Sequence, residues 1–279
     1  MSRRSRRRYA WASLRYGLLG LALIYLLLPF FWMFLTSALP SSDLTSMPPK
    51  IDISSFSFQR YAELLTDPTF LSPMWNSTVV AVSTTLICIG VGAPAAYAVA
   101  RFRFPGSRAF MLTILATQMI PVIVLAVPLF VILQAIGLLD SYEGLILTYT
   151  AFILPLVIWI LSGFFEDIPP SLEKAARIDG CTRLQAMVRI IMPLTATGLA
   201  ATAIFAFITA WGDFFLALVL TNVEAKTLPV RTAEFQGLFK LDYKTAATAG
   251  VITSLPVLLL ALTFQRYIIK GLTEGGVKG

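Results

Sequence analysis

Histidine is absent from the 279 residues, and only 13% of them are Asp, Glu, Lys or Arg. The missing imidazole removes the commonest general base and metal ligand. The two cysteines, Cys88 and Cys181, lie far apart and without metal-type spacing, so neither a disulfide framework nor a zinc site is written here. There is no G-x-x-x-x-G-K-S/T phosphate loop and no cluster of carboxylates. The sequence therefore shows no catalytic, metal-binding or nucleotide-binding pattern of its own, and the chain is not expected to be an enzyme.

Apolar residues fill that space. They make up 57% of the sequence, and the mean hydropathy is +0.78. A soluble domain is typically about 45–50% apolar and about a quarter charged. The surplus must face something other than water, and lipid is the obvious solvent. The net charge of +7 could suit nucleic acid, but its placement argues otherwise. Five of the first eight residues are arginine, and most other basic residues fall in short segments between apolar runs, as topology signals do.

About 20 apolar residues cross a bilayer as a helix. Six segments reach that length, over 16–38, 74–100, 109–136, 144–165, 194–221 and 245–269. The first four carry no charge, the fifth contains Asp213, and the sixth is uncharged until Arg266. The expected fold is all-α, with six spans forming one transmembrane domain over 1–279. Kinks are expected at Pro29, Pro94, Pro121, Pro128, Pro155 and Pro256, which membrane bundles tolerate. The run from Tyr16 to Ala38 is too long for the apolar core of a cleaved signal, about 7–15 residues, and reads as a first span.

Sixteen of the 22 basic residues fall on one side of this topology and six on the other. The positive-inside rule then puts both termini in the cytoplasm. The arginine-rich start also suits attraction to anionic lipid. The outer segments become 39–73, 137–143 and 222–245, with a short helix expected around Phe58–Leu65. In 222–245, the mixed charges of Glu224, Lys226, Arg231, Glu234, Lys240 and Asp242 suggest a polar rim rather than a buried element.

The inner segment 166–193 is the unusual one. Pro169 and Pro170 stop the fourth span, Ser171 can cap a new helix, and Glu173 in its first turn suits the helix dipole. Leu172, Ala175, Ala176 and Asp179 share a face at helical spacing. Gly180 supplies a turn with positive φ. Thr182 with Gln185 makes a capping box for a second helix ending at Pro193. A short helix, a glycine bend and another short helix at the membrane surface suit equally a docking element or a connector with no partner.

The segment resembles the EAA loop of ABC importer permeases: E-A-A, three residues, G, nine residues, I, one residue, L-P. Here the residues are Lys174-Ala175-Ala176, Gly180, Ile190, Met192 and Pro193, with every spacing kept. Lys174 replaces the usual Glu, and adjacent Glu173 is available to substitute for it. Three further stretches resemble the carbohydrate (maltose-type) branch. They are Trp75-Asn76-Ser77 preceded by 58–65, Trp211–Leu220 running into 226–230, and the glycine-rich tail from Gln265.

The resemblance implies an alternating-access importer of a carbohydrate. Its partners would be a second, homologous permease, two ATPase subunits carrying ATP and Mg, and an extracytoplasmic binding protein. Glu173, Lys174, Ala175, Ala176, Asp179, Gly180, Ile190 and Pro193 would form the ATPase-coupling loop. The tail after Arg266 would order against the ATPases. Asp213 reads either as part of the translocation pathway or as an interfacial carboxylate. Gln118, Thr117, Tyr149 and Thr150 could meet sugar hydroxyls or glue helices together. An ion-coupled carrier without ATPases is the rival class, and it would need charged or discontinuous midplane features, of which these six spans show little.

Overall fold

A computed structural model describes residues 3–40, 51–102, 105–236 and 242–274. Among these the regular elements are all helices, in keeping with the expected all-α class. They divide into two compact units, Met1–Asp67 with Thr232–Ser254, and Pro68–Arg231 with Leu255–Gly279.

The first unit opens with α1, Arg3–Ala38, unbroken through Pro29. From Trp11 to Phe31 its large apolar side chains are exposed on every face, which suits a helix immersed in lipid. Burial begins at its end, with Leu35, Ser37, Ala38 and Leu39. There the chain folds back through α2, Gln59–Leu64, close to the helix expected at 58–65. The Ser37 and Tyr61 hydroxyls are hydrogen-bonded at 2.6 Å, and Ser57 N donates to Ala38 O at 2.9 Å.

The second unit is built on α3, Pro68–Arg101, which packs most extensively against α6, Tyr142–Glu166, and α9, Ala196–Gly212, packs against both. Small residues permit the approach: Gly92, Ala93 and Ala96 are buried on α3. A Cβ on Gly92 would stand 2.8 Å from Val157 Cγ1. Close contact through small residues holds helices together where lipid gives no hydrophobic drive. α3 has 34 residues, about 50 Å at about 1.5 Å per residue, and so exceeds the hydrocarbon thickness of about 30 Å.

Two expected spans are broken. Residues 109–136 form α4, Ser107–Thr117, and α5, Val122–Ala135, which meet at 88°. Pro121 disfavours helical geometry at Ile120 and sits at the start of the next helix. In the fifth span, α9 stops at Gly212, Asp213 is extended, and a six-residue helix, α10, Phe215–Leu220, follows. Four helices are long and apolar enough to cross a membrane singly, or up to six if two bent pairs, α4 with α5 and residues 183–194 with α9, each count as one span. Prolines 94, 128, 155 and 256 lie inside helices that continue through them.

Two other expectations change. Segment 222–245 contains α11, Leu228–Glu234, and Ala225, Thr227, Leu228 and Val230 are buried, so its first half is not a polar rim. Lys240 lies outside the described residues. The last helix, α12, runs Tyr243–Glu274 and includes Gly271; the tail glycines 275, 276 and 279 also lie outside the described residues.

Candidate functional site

Beyond α6, the connector folds by local rules. Helix α7, Pro170–Ile178, has proline at its first position and Pro169 as the preceding residue, so Ser171 lies inside the helix rather than capping it. Its end is a complete Schellman motif. Cys181 N donates to Ala176 O at 3.0 Å and Gly180 N to Arg177 O at 3.2 Å, with Gly180 at φ +92°. Thr182 then opens α8, Arg183–Leu194, through the expected capping box. Thr182 Oγ1 accepts from Gln185 N at 3.2 Å, and Gln185 Oε1 accepts from Thr182 N at 2.8 Å. Residues Met187–Ile191 widen to π-helix, so α8 runs through Pro193 to Leu194. It meets α9 at 84°.

Of the four residues at helical spacing, only Ala176 is buried; Leu172, Ala175 and Asp179 are exposed. Glu173 and Ala176 turn towards the bundle, while Leu172, Lys174, Ala175, Arg177 and Asp179 are exposed. Tyr97 Oη donates to Glu173 Oε1 at 2.7 Å, and Arg101 Nε lies 3.4 Å from Glu173 Oε2. The Arg101 and Glu173 side chains are only 8% and 13% exposed, so this is a buried pair. Arg101 Nη2 also donates to Ile168 O at 2.8 Å. The Arg183 guanidinium stands 4.8 Å over the Phe102 ring. Glu173 is thus engaged inside the chain and leaves Lys174 as the exposed charge beside it. Among the other expected connector residues, Gly180 and Pro193 are exposed and Ile190 is half-buried. Large apolar side chains also stand uncovered here: Ile178 at 86%, Leu184 at 65% and Val188 at 51% exposure.

Of the three residues singled out for a pathway, two meet. Tyr149 Oη donates to Asp213 Oδ1 at 3.0 Å. The same carboxylate oxygen accepts from Leu216 N at 3.1 Å and Ala217 N at 3.2 Å, capping α10 where the helix breaks. Gln118 is elsewhere: at the α4–α5 break its Nε2 donates to Phe152 O of α6 at 2.8 Å.

A second polar cluster, missed in the sequence, holds the turn at 222–228. Asp140 has φ +55°, and its carboxylate accepts from the backbone N–H groups of Asn222, Val223, Glu224 and Ala225 at 2.9–3.2 Å. Burial alone would raise its pKa, but the four amides outweigh burial and hold it below the usual carboxylate value. Asn76 Nδ2 donates to Glu224 O and Lys226 O, both at 2.9 Å, and its Oδ1 accepts from Tyr142 Oη at 2.6 Å. Ser77 Oγ accepts from Leu228 N at 2.8 Å. No group of three or more metal-ligating side chains occurs among the described residues.

A family model described as "Binding-protein-dependent transport system inner membrane component" matches residues 88–274. The "Trehalose transport system permease protein SugB" of Mycobacterium tuberculosis is 43% identical, covering 99% of both chains. The "Trehalose/maltose transport system permease protein MalG" of Thermococcus litoralis is 37% identical over 92% of this chain and 93% of that one. Among solved structures, a bacterial ABC transporter involved in import of the acidic polysaccharide alginate matches with a TM-score of 0.74. It is 26% identical and covers 96% of this chain and 98% of that one. With this architecture and these relatives, the chain belongs to the family of binding-protein-dependent transport system inner membrane components and is a multi-pass permease of an ABC importer.

Proposed function

We propose that the chain moves a carbohydrate across the cytoplasmic membrane by alternating access, with both termini and the 166–193 connector in the cytoplasm. One observation carries the drive mechanism. α7 is bonded to the bundle through Glu173, while Lys174, Ala175, Arg177 and Ile178 face outwards at a glycine-ended helix. Such a face suits docking of an ATPase subunit, which would hold ATP and Mg. The complete machine would contain two ATPases, a second homologous permease, and a binding protein that delivers substrate at the opposite end. Support for a carbohydrate comes from relatives named for trehalose, for trehalose and maltose, and for sulfoquinovosyl glycerol. Gln118, Tyr149 and Asp213 are the proposed pathway residues.

The test is purification through a tag on this chain, followed by reconstitution with a binding protein for trehalose or maltose. Co-elution of an ATPase and ATP-dependent uptake of radiolabelled trehalose or maltose are expected. The breaks at 118–121 and 213–214 also suit an ion-coupled carrier without ATPases. Uptake abolished by ionophores but indifferent to ATP would favour that alternative and reject the proposal.

A further inference from the structure

α3 is tied at both ends. Near its C-terminal end, Tyr97 and Arg101, one turn apart on one face, engage the two oxygens of Glu173 on α7. Near its other end, Asn76 and Ser77 bond the backbone of Glu224, Lys226 and Leu228. From Asn76 to Tyr97 the helix spans about 31 Å at its usual rise per residue. α6 is fastened alongside it at three levels. Tyr142 bonds Asn76, Val157 packs onto Gly92, and Arg101 bonds Ile168 O just past the end of α6.

The contacts at the α7 end are directional. α7 buries little apolar surface, with Ala176 its one buried side chain, so its position against α3 depends on the polar contacts of Glu173. Breaking a buried ion pair leaves an uncompensated charge, so the pair holds while its partners move together. A displacement of α7 is therefore delivered to Tyr97 and Arg101, and through a helix pair fastened along its length to the 222–228 turn.

We infer that α3, fastened to α6, is the rod that carries displacement of the connector to the 222–228 turn at the opposite end. Tyr97, Arg101 and Asn76 are the positioning residues at its two ends. The inference rests on the proposed docking of an ATPase at the connector, and the experiment separates the two.

The intact transporter is purified through this chain, and hydrogen exchange in peptides spanning 222–228 is compared without nucleotide and with Mg-AMP-PNP. Absence of a co-eluting ATPase rejects the docking proposal and, with it, the premise of the rod. With the ATPase present, nucleotide is expected to change exchange at 222–228; no change overturns the rod and leaves docking standing. Arg101→Gln is expected to shrink that nucleotide-dependent difference about fivefold or more, in the range of ordinary inter-site coupling. Tyr97→Phe should shrink it less, in the same direction. Nucleotide-free exchange at 222–228 should stay at the wild-type level in both, which a general loosening of the fold would not allow. Combining Tyr97→Phe with Asn76→Ala should lower the difference no further than the larger single effect; additive losses mean separate routes and overturn the rod. If Arg101→Gln fails to assemble, Tyr97→Phe decides, and a full wild-type difference in that variant overturns the inference.

Discussion

Replacing Asp140 with Asn keeps the side-chain shape but removes its charge and one of its two acceptor oxygens. Oδ1 serves Asn222 and Ala225, and Oδ2 serves Val223 and Glu224. In the variant one pair of amides faces an NH2 group instead of an acceptor. Hydrogen bonds to a charged group contribute about 1.5–3 kcal/mol each. Three of these four amides are solvent-exposed and can turn to water, so the net loss is about 2 kcal/mol. The backbone is not a confounder, since Asn tolerates the positive φ of this position. At about 1.4 kcal/mol per decade, amides 222–225 should exchange on the order of thirtyfold faster. Asp140→Ala loses both acceptor oxygens and all four hydrogen bonds and adds left-handed strain of about 1–2 kcal/mol, so its effect should be larger. Hydrogen exchange of the purified permease, corrected for intrinsic rates, measures both. Unchanged exchange at 222–225 in Asp140→Ala would refute the reasoning. The pH dependence has a fixed sign. The folded-state pKa is depressed, so the stabilisation is complete above the unfolded carboxylate value of about 3.9 and is lost as pH falls through the lower folded value. The turn should therefore hold its protection through neutral and mildly acidic buffers.

Gly180→Val places a β-branched residue at φ +92°, where backbone strain costs on the order of 1–3 kcal/mol. A Cβ there meets nothing within 4 Å in this chain, so membrane insertion should be normal while ATPase co-purification and uptake fall; normal uptake with the ATPase bound would reject the coupling role. Gly198→Ala would set a Cβ 2.5 Å from Phe164 Cγ, and the overpacking should cost about 1–3 kcal/mol, read as a lower melting temperature in detergent. Gly163→Ala, with open space at its Cβ, is the control and should melt as wild type. Cys88 is buried and Cys181 partly exposed, so an impermeant maleimide should label only Cys181, and only in inside-out vesicles. Labelling from the outside contradicts the proposed orientation.

Elements governed by neighbours in sequence were legible in advance. The glycine bend at 180 and the Thr182–Gln185 capping box need only residues within a few positions, and both are present as expected. The long helices at 68–101 and 142–166 follow from unbroken apolar runs. Pro121 marks a kink in advance, but counting apolar residues cannot tell a kink from the 88° turn found there, and the break at 213–214 is marked only by the Gly212-Asp213 pair. Pairings across long separations were invisible as well. Arg101 and Glu173 stand 72 positions apart, and Asn76 lies 148 from Glu224, whose carbonyl it bonds. Asp140 between Leu139 and Ser141 looks like an ordinary loop carboxylate, and only the fold brings four amides to it. Burial of Leu228 and Val230 likewise depends on the tertiary path rather than on the mixed charges around them.

The fate of Glu173 changes how the connector's exposed face is understood. Had its carboxylate pointed outwards, it could have stood in for the acid that Lys174 replaces. It is instead engaged by Tyr97 and Arg101, so the free side of α7 carries Lys174 and Arg177 near Asp179, with Ile178 uncovered beside them. Charge is thus divided by function: the negative group fastens the helix to its own bundle, and mainly positive groups face outwards. A partner surface matched to that face needs an apolar recess for Ile178 and acidic side chains around it, because like charges brought together would oppose docking. The division also separates two kinds of failure. Loss of Lys174 should weaken the approach of a partner in a salt-dependent way, since exposed charges act mainly through screened long-range attraction. Loss of Arg101 should leave that approach intact and loosen the helix from its own bundle.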